Sequence, residues 1–183
     1  MKFIKTEIPE VIVIEPDVFE DERGYFFESF NQKEFESKIG PVNFVQDNMS
    51  HSKYGVLRAL HYQLEPYAQA KLIAAIRGKI LDVAVDIRKN SPTYGKNVSV
   101  ELSEENKKRL FVPRGFAHGF AVLSPEADVF YKCDNLYAFD FEGGIKFDDS
   151  DLNIDWRLPK EDLIVSQKDR NFPNLSEARN NFS

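Results

Sequence analysis

Residues 70–87, AKLIAAIRGKILDVAVDI, read as two apolar runs with a tight turn at Gly78 between them, and their reading decides the fold. In the second run Ile80, Asp82, Ala84 and Asp86 share one face of an extended chain, while Leu81, Val83, Val85 and Ile87 share the other. Working outward, short runs of the same kind recur from residue 43 onward: NFVQDNMS, GVLRALHYQ, NVSVEL, RLFVP, HGFAVL, DVFYKC and GIKF. Gly, Pro, Asn and Asp break them at roughly regular spacing, which predicts an all-β sandwich or barrel. Sixteen Phe and seven Tyr agree, because aromatic side chains suit a pleated, half-buried surface. Nearer the N-terminus, VIVIEP and GYFFESF flank DVFEDER, which reads as a loop. NQKEFESKIG is the one strong internal helix: Asn31 caps it, Glu34 follows three residues later, and Gly40 stops it.

A length of 183 residues with 42% hydrophobic content suffices for one buried core, so residues 1–183 are expected to form one domain, with a polar tail at about 174–183 that frays at its end. No apolar run reaches 18 residues, and MKFIKTEIPE lacks the features of a secretory signal, so a cytoplasmic protein without membrane contact is expected. Cys133 is the only cysteine; this excludes an internal disulfide framework and chemistry through paired thiols. The net charge of −6 argues against a general nucleic-acid surface, and an anionic ligand would need a local cluster of cations.

His51, His61 and His118 are the only histidines. Gly55 and His61, and then Pro113, Gly115 and His118 in PRGFAH, have the spacing of the two motifs of metal-binding cupins, a family of small β-barrels. Gln63, however, stands where the second histidine of the first motif would be, and an amide is a poor ligand for metals that favour imidazole. Without a metal, His61 is either a general base or a satisfied core residue. Arg58 lies three positions earlier, on the opposite face of an ideal strand unless a bulge intervenes. Lys71 opens an apolar run, and Gln46, Asp47 and Asn48 interrupt another. Polar groups placed repeatedly where strands feed a core point to a barrel interior that holds a polar ligand.

FEDERGYFFESF, FVQDN, GVLRALHYQLEP, PRGFAHGFAVLS, FYKCDNLY, EGGIKFDD, NIDW and VSQKDR occur in this order, with the 70–95 stretch among them. From about residue 17 to 173 the chain thus resembles the dTDP-4-dehydrorhamnose 3,5-epimerase family, a metal-independent branch of the cupin-like barrels. The resemblance implies a cupin-like double-stranded β-helix or jelly-roll barrel with a few short helices. It also implies inversion of C3 and C5 of a dTDP-linked 4-keto-6-deoxy sugar through an enolate, without cofactor or metal, on the way to dTDP-L-rhamnose. Each inversion needs a base on one face of the carbon, an acid on the other and a stabilised enolate oxygen.

On that resemblance His61 is the base, Asp169 its carboxylate partner and Tyr131 the acid. Arg58, Lys71 and His118 belong to the sugar, the enolate or the phosphates, with Gln46, Asp47 and Asn48 as polar substrate contacts. Arg23 and Glu28 reach the nucleotide of a neighbouring subunit, so a homodimer is implied, and Tyr137, Glu142 and Lys168 line the nucleotide end. Taken alone, Tyr131 reads as core and Asp169 as a solvated carboxylate, and only the joint match lifts them; Lys168 taken alone reads as a solvated surface lysine at least as well as a ligand contact. The chain departs from the family's usual pattern at Ala59, at Phe147 and in YAFDFEGG, which leaves open a relative that inverts only C3 or only C5. A sugar-nucleotide-binding barrel without catalysis is the alternative from another class.

Overall fold

The two runs that open the reading become β7 (Lys71–Arg77) and β8 (Lys79–Asp86), and they go to different sheets. Gly78 makes the switch at φ 71°, where a Cβ would stand 2.0 Å from the carbonyl oxygen of Glu126. The computed structural model describes residues 1–183. Before β7 come β1 (Lys2–Lys5), β2 (Ile12–Glu15), β3 (Phe19–Asp21), β4 (Gly24–Phe26), α1 (Gln32–Ile39), β5 (Gln46–Lys53) and β6 (Val56–Gln63). After β8 come β9 (Asn97–Ser103), β10 (Arg109–Val112), β11 (Phe116–Val122), β12 (Glu126–Cys133), β13 (Glu142–Gly144), β14 (Ile164–Val165) and α2 (Gln167–Arg170). One-turn 3₁₀ helices cover Phe139–Phe141 and Lys160–Asp162.

One sheet runs β1-β2-β10-β7-β12-β5 and the other β13-β6-β11-β8-β9, with β14 added beside β6. Every pair is antiparallel except β14 with β6. This is the all-β, cupin-like jelly roll that the resemblance implies. Both faces of β8 are buried, because it stands between two cores. Ile80 and Ala84 join Ile73, Leu110, Phe120 and Val129 between the sheets. Leu81, Val83, Val85 and Ile87 join Tyr62, Phe147 and Trp156 behind the second sheet.

The helix forms as its caps predict: the Asn31 side chain accepts from the Glu34 amide at 3.1 Å, and Gly40 ends it at φ 113°. Phe35 is its one buried residue and packs edge-on to Phe44 and Phe111, closing the outer face of the first sheet. Two local expectations change. DVFEDER is not a plain loop, since it holds β3 and the turn of an exposed hairpin with β4. The C-terminal stretch does not fray: Leu175 and Phe182 are buried in the second core, and the Asn180 side chain donates to the carbonyl of Ile87. Two apolar side chains at wide spacing anchor a segment that is otherwise polar.

Candidate active site

The histidine and the arginine of GVLRALHYQ turn to the same face because β6 carries a bulge, although of the two only His61 lines a cavity there. In its pairing with β11, His61 stands opposite His118 and Arg58 opposite Phe120, so Ala59 and Leu60 together face the single Gly119. The alternation therefore slips by one residue. Leu57 and Ala59, and then Leu60, Tyr62 and Leu64, all enter the outer core, while Arg58, His61 and Gln63 turn inward. A Cβ at Gly119 would lie 2.4 Å from that of Ala59, so the crossing of these strands needs a glycine there.

His61 and Gln63 meet a cavity of about 290 Å³ at one end of the space between the sheets, while Arg58 stands outside its lining. His61 forms its wall, and His61 Nε2 is 2.9 Å from Asp169 Oδ1. Asp169 comes from α2, whose N-cap Ser166 accepts from the Asp169 amide, and its Oδ2 accepts from the Ala59 amide at 3.3 Å. Burial acts to raise the Asp169 carboxyl; the hydrogen bond and charge of His61, with Ser166 and Ala59, outweigh it and hold the group below its ordinary range. The Phe172 ring stands edge-on to the imidazole at 5.7 Å, in space that a Cβ on Gly144 would occupy.

Tyr131 faces the same cavity from β12, a strand of the opposite sheet. Burial pushes its hydroxyl above the ordinary phenol value, with Arg58 acting the other way. Arg58 itself reaches over to β5, donating to Ser52 Oγ at 3.1 Å. Lys71 lines the cavity without an ion pair, and burial holds its ammonium below the usual lysine range. Gln46 and Asn48 project from β5 into the cavity. His118 is buried with Nε2 at 2.6 Å from Asp82 Oδ1, and burial pulls its imidazole below the ordinary value against the charge of Asp82. At the mouth, the hydroxyl of Tyr137 donates to Glu142 Oε2 at 3.2 Å and Lys168 Nζ meets the same oxygen at 2.6 Å.

Three expected contacts lie elsewhere. Asp47 is corrected: strand alternation turns it away from Gln46 and Asn48, onto the outer face, where it pairs with Lys132 at 2.8 Å. Arg23 and Glu28 sit on or beside the exposed β3–β4 hairpin, paired with Asp21 and Asn31, and reach no part of this chain's cavity. Phe147, where the chain departs from the family's usual pattern, is in the outer core and accepts at its carbonyl from Trp156 Nε1. The methyl of Ala59 lies in the same core, behind the sheet that carries His61.

Residue patterns missed Gln69 on the cavity wall, Ser52 under Arg58 and the Asp82 partner of His118. Only Asp82 left a signal, an acid on an inward position of an apolar strand. His61 and His118 are the only imidazoles near the cavity, both Nε2 atoms already bind carboxylates, and no cluster of three His, Cys, Asp or Glu side chains is placed to hold a metal. A larger cleft of about 750 Å³ lies against α1, but it holds none of the expected residues, and its Arg114 is bound to Asp134.

The sequence profile described as dTDP-4-dehydrorhamnose 3,5-epimerase matches residues 5–177. A protein of that name from Shigella flexneri is 58% identical over 179 residues, covering 97% of this chain and 98% of the relative. The crystal structure of dTDP-4-dehydrorhamnose 3,5-epimerase from Elizabethkingia anophelis NUHP1 superposes with a TM-score of 0.94 at 55% identity, covering 97% of each chain. That of dTDP-6-deoxy-D-glucose-3,5-epimerase from Legionella pneumophila Philadelphia 1, in complex with dTDP-4-keto-L-rhamnose, gives 0.93 at 47% identity, covering 96% of this chain and 93% of the other.

Proposed function

The chain belongs to the dTDP-4-dehydrorhamnose 3,5-epimerase family, and from that premise we propose how its own residues carry out the reaction. The substrate is a dTDP-linked 4-keto-6-deoxy sugar whose C3 and C5 both lie beside the ketone. His61 removes the proton from each carbon in turn, Asp169 holds the imidazole and stabilises the charge it gains, and Tyr131 returns a proton from the other side. The negative charge that develops on the C4 oxygen meets Lys71 and His118, and the diphosphate meets Arg58. The nucleotide rests at the mouth against Tyr137, Glu142 and Lys168, with Gln46 and Asn48 beside the sugar. No redox cofactor is required, because the ketone already acidifies both C–H bonds.

One observation carries this reading: a histidine with a buried carboxylate behind it and a half-buried tyrosine, whose hydroxyl burial holds above the ordinary phenol value, line one cavity from opposing sheets, beside a lysine that has no ion pair. Of the three departures from the family's pattern, Ala59 and Phe147 lie behind the sheet, while YAFDFEGG brings Tyr137 and Glu142 to the cavity wall, so regiochemistry is read there. The test is proton NMR of the nucleotide-linked 4-keto sugar in deuterated water with metal-free enzyme. Deuterium is expected at both C3 and C5; entry at one position selects a narrower epimerase, and entry at neither refutes catalysis on this substrate.

The working unit is a cytoplasmic homodimer in which Arg23 and Glu28 of each hairpin complete the partner's site. Two features support it. Phe19, Tyr25 and Phe26 stand 60–71% exposed on that hairpin. Met49 on edge strand β5 is exposed as well. Mixing inactive His61→Ala and Arg23→Ala proteins should restore about a quarter of the wild-type rate, because half of the dimers are mixed and each holds one intact site. Mixtures no more active than their components would rule out the shared site.

A further inference from the structure

The segment Asn135–Ala138 carries Tyr137 to the mouth of the cavity, and ordinary secondary structure does not hold it there. None of Asn135, Leu136 and Tyr137 joins a backbone-to-backbone hydrogen bond. Apolar packing does little either, since Leu136 and Tyr137 are each more than half exposed. Side-chain amides take over. Gln69 Nε2 donates to the Asn135 carbonyl at 2.8 Å. Gln46 Oε1 accepts from the Tyr137 amide at 2.9 Å. Gln63 makes three bonds: Nε2 donates to the carbonyls of Leu136 at 3.2 Å and Tyr67 at 2.6 Å, and Oε1 accepts from the Ala138 amide at 2.7 Å.

We infer that Gln63 is a positioning residue for the nucleotide end of the site, locking the Tyr137 segment to β6 through its own amide. Both of its N–H groups are used within the protein and its oxygen holds an amide, so little of it remains for a ligand. The position also demands the amide chemically. A carboxylate offers no donor to the two carbonyls, and an imidazole cannot supply two donors and an acceptor in one plane. The residue that breaks the spacing of a metal-binding motif thus has its own task, with both loops tied to the strand that bears His61. This rests on the proposed contact of Tyr137 with the nucleotide.

The test measures dTDP binding by calorimetry and steady-state kinetics for Gln63→Glu, Tyr137→Ala and the double variant. Gln63→Glu should weaken dTDP binding and raise KM about tenfold, the scale of one or two lost hydrogen bonds, with kcat within about threefold of wild type. The double variant should bind dTDP no more weakly than Tyr137→Ala alone. Effects that multiply, or a fall in kcat with dTDP affinity intact, would overturn the inference. Should Tyr137→Ala leave dTDP affinity unchanged, the nucleotide role of Tyr137 fails, and amide hydrogen exchange judges the clamp separately. The Tyr137 and Ala138 amides must exchange faster in Gln63→Glu, and unchanged rates refute it. If Gln63→Glu does not fold, Gln69→Ala removes one bond from the same segment and should weaken dTDP binding a few-fold, again non-additively with Tyr137→Ala; full additivity overturns the inference.

Discussion

His61 and His118 face each other across one strand pair, each with a carboxylate at its Nε2, yet the two pairs are built for different work. Asp169 reaches His61 from a helix 108 residues further along the chain, and both of its oxygens are occupied. Asp82 reaches His118 from the adjacent strand β8, and its second oxygen is buried without a partner. His61 is open to the cavity, whereas His118 is 7% exposed and its burial favours the neutral ring. The lesson is that a histidine beside a carboxylate is not a base by that fact alone. Access on one side and a fully anchored carboxylate on the other equip His61 for the role proposed for it.

The largest effect that could break this contrast comes from deleting each imidazole. His61→Ala should abolish deuterium entry at C3 and C5, a loss of about 10³-fold or more in kcat, as removal of a general base requires. His118→Ala should keep measurable exchange at both carbons, with a smaller loss than His61→Ala that falls mainly on kcat, because its contact with the C4 oxygen strengthens as charge develops there. Exchange that survives in His61→Ala and vanishes in His118→Ala would reverse the assignment.

The carboxylates give the next contrast. Asp169→Asn keeps the shape but loses the charge behind the base, so kcat should fall about 10²-fold and the pH–rate profile should change in height and midpoint. Asp82→Asn removes the charge beside a buried neutral ring and should cost less than about tenfold. Equal losses in the two variants would mean that both histidines exchange protons with substrate.

Much of this contrast could be anticipated from the sequence, though not its geometry. The 70–87 alternation separates Asp82 from Leu81, Val83 and Val85 onto opposite faces, without saying which face is inner, and the caps of α1 are visible in NQKEFESKIG, because such patterns are local. Asp169 was not visible in that way. Its helix has four residues, too few for a helical period, and its partner is remote in the chain, so only the resemblance pointed to it. The slip in β6 was invisible for a similar reason: nothing in VLRALHYQ marks where two residues will face one glycine of another strand. Asp47 was misplaced because the reading took QDN as a block, whereas an extended strand separates its middle residue from its neighbours. Gln63 was noticed only as an absent ligand, since its three partners belong to loops whose positions the fold alone sets.

The smallest effect is a pH dependence of stability that separates the two pairs by window. Both folded groups titrate below their ordinary values, so each contributes stability that is present at higher pH and lost as pH falls toward the folded value. For His118 the loss begins near 6.5, where the unfolded ring starts to take a proton that the buried ring refuses. For Asp169 it begins only near 3.8, where the unfolded carboxyl is protonated while the one held by His61 is not. Denaturant titrations between pH 7 and 5 should therefore show a His118 contribution of at most about 1.4 kcal/mol per pH unit, the limit for a single proton. His118→Gln should flatten the curve in that range, while Asp169→Asn should run parallel to wild type there and diverge only below pH 4. A wild-type curve that instead gains stability relative to His118→Gln as pH falls from 7 would mean that the charge of Asp82 outweighs burial and that His118 is cationic in the folded protein, and parallel curves would mean that the ring takes up its proton equally in both states.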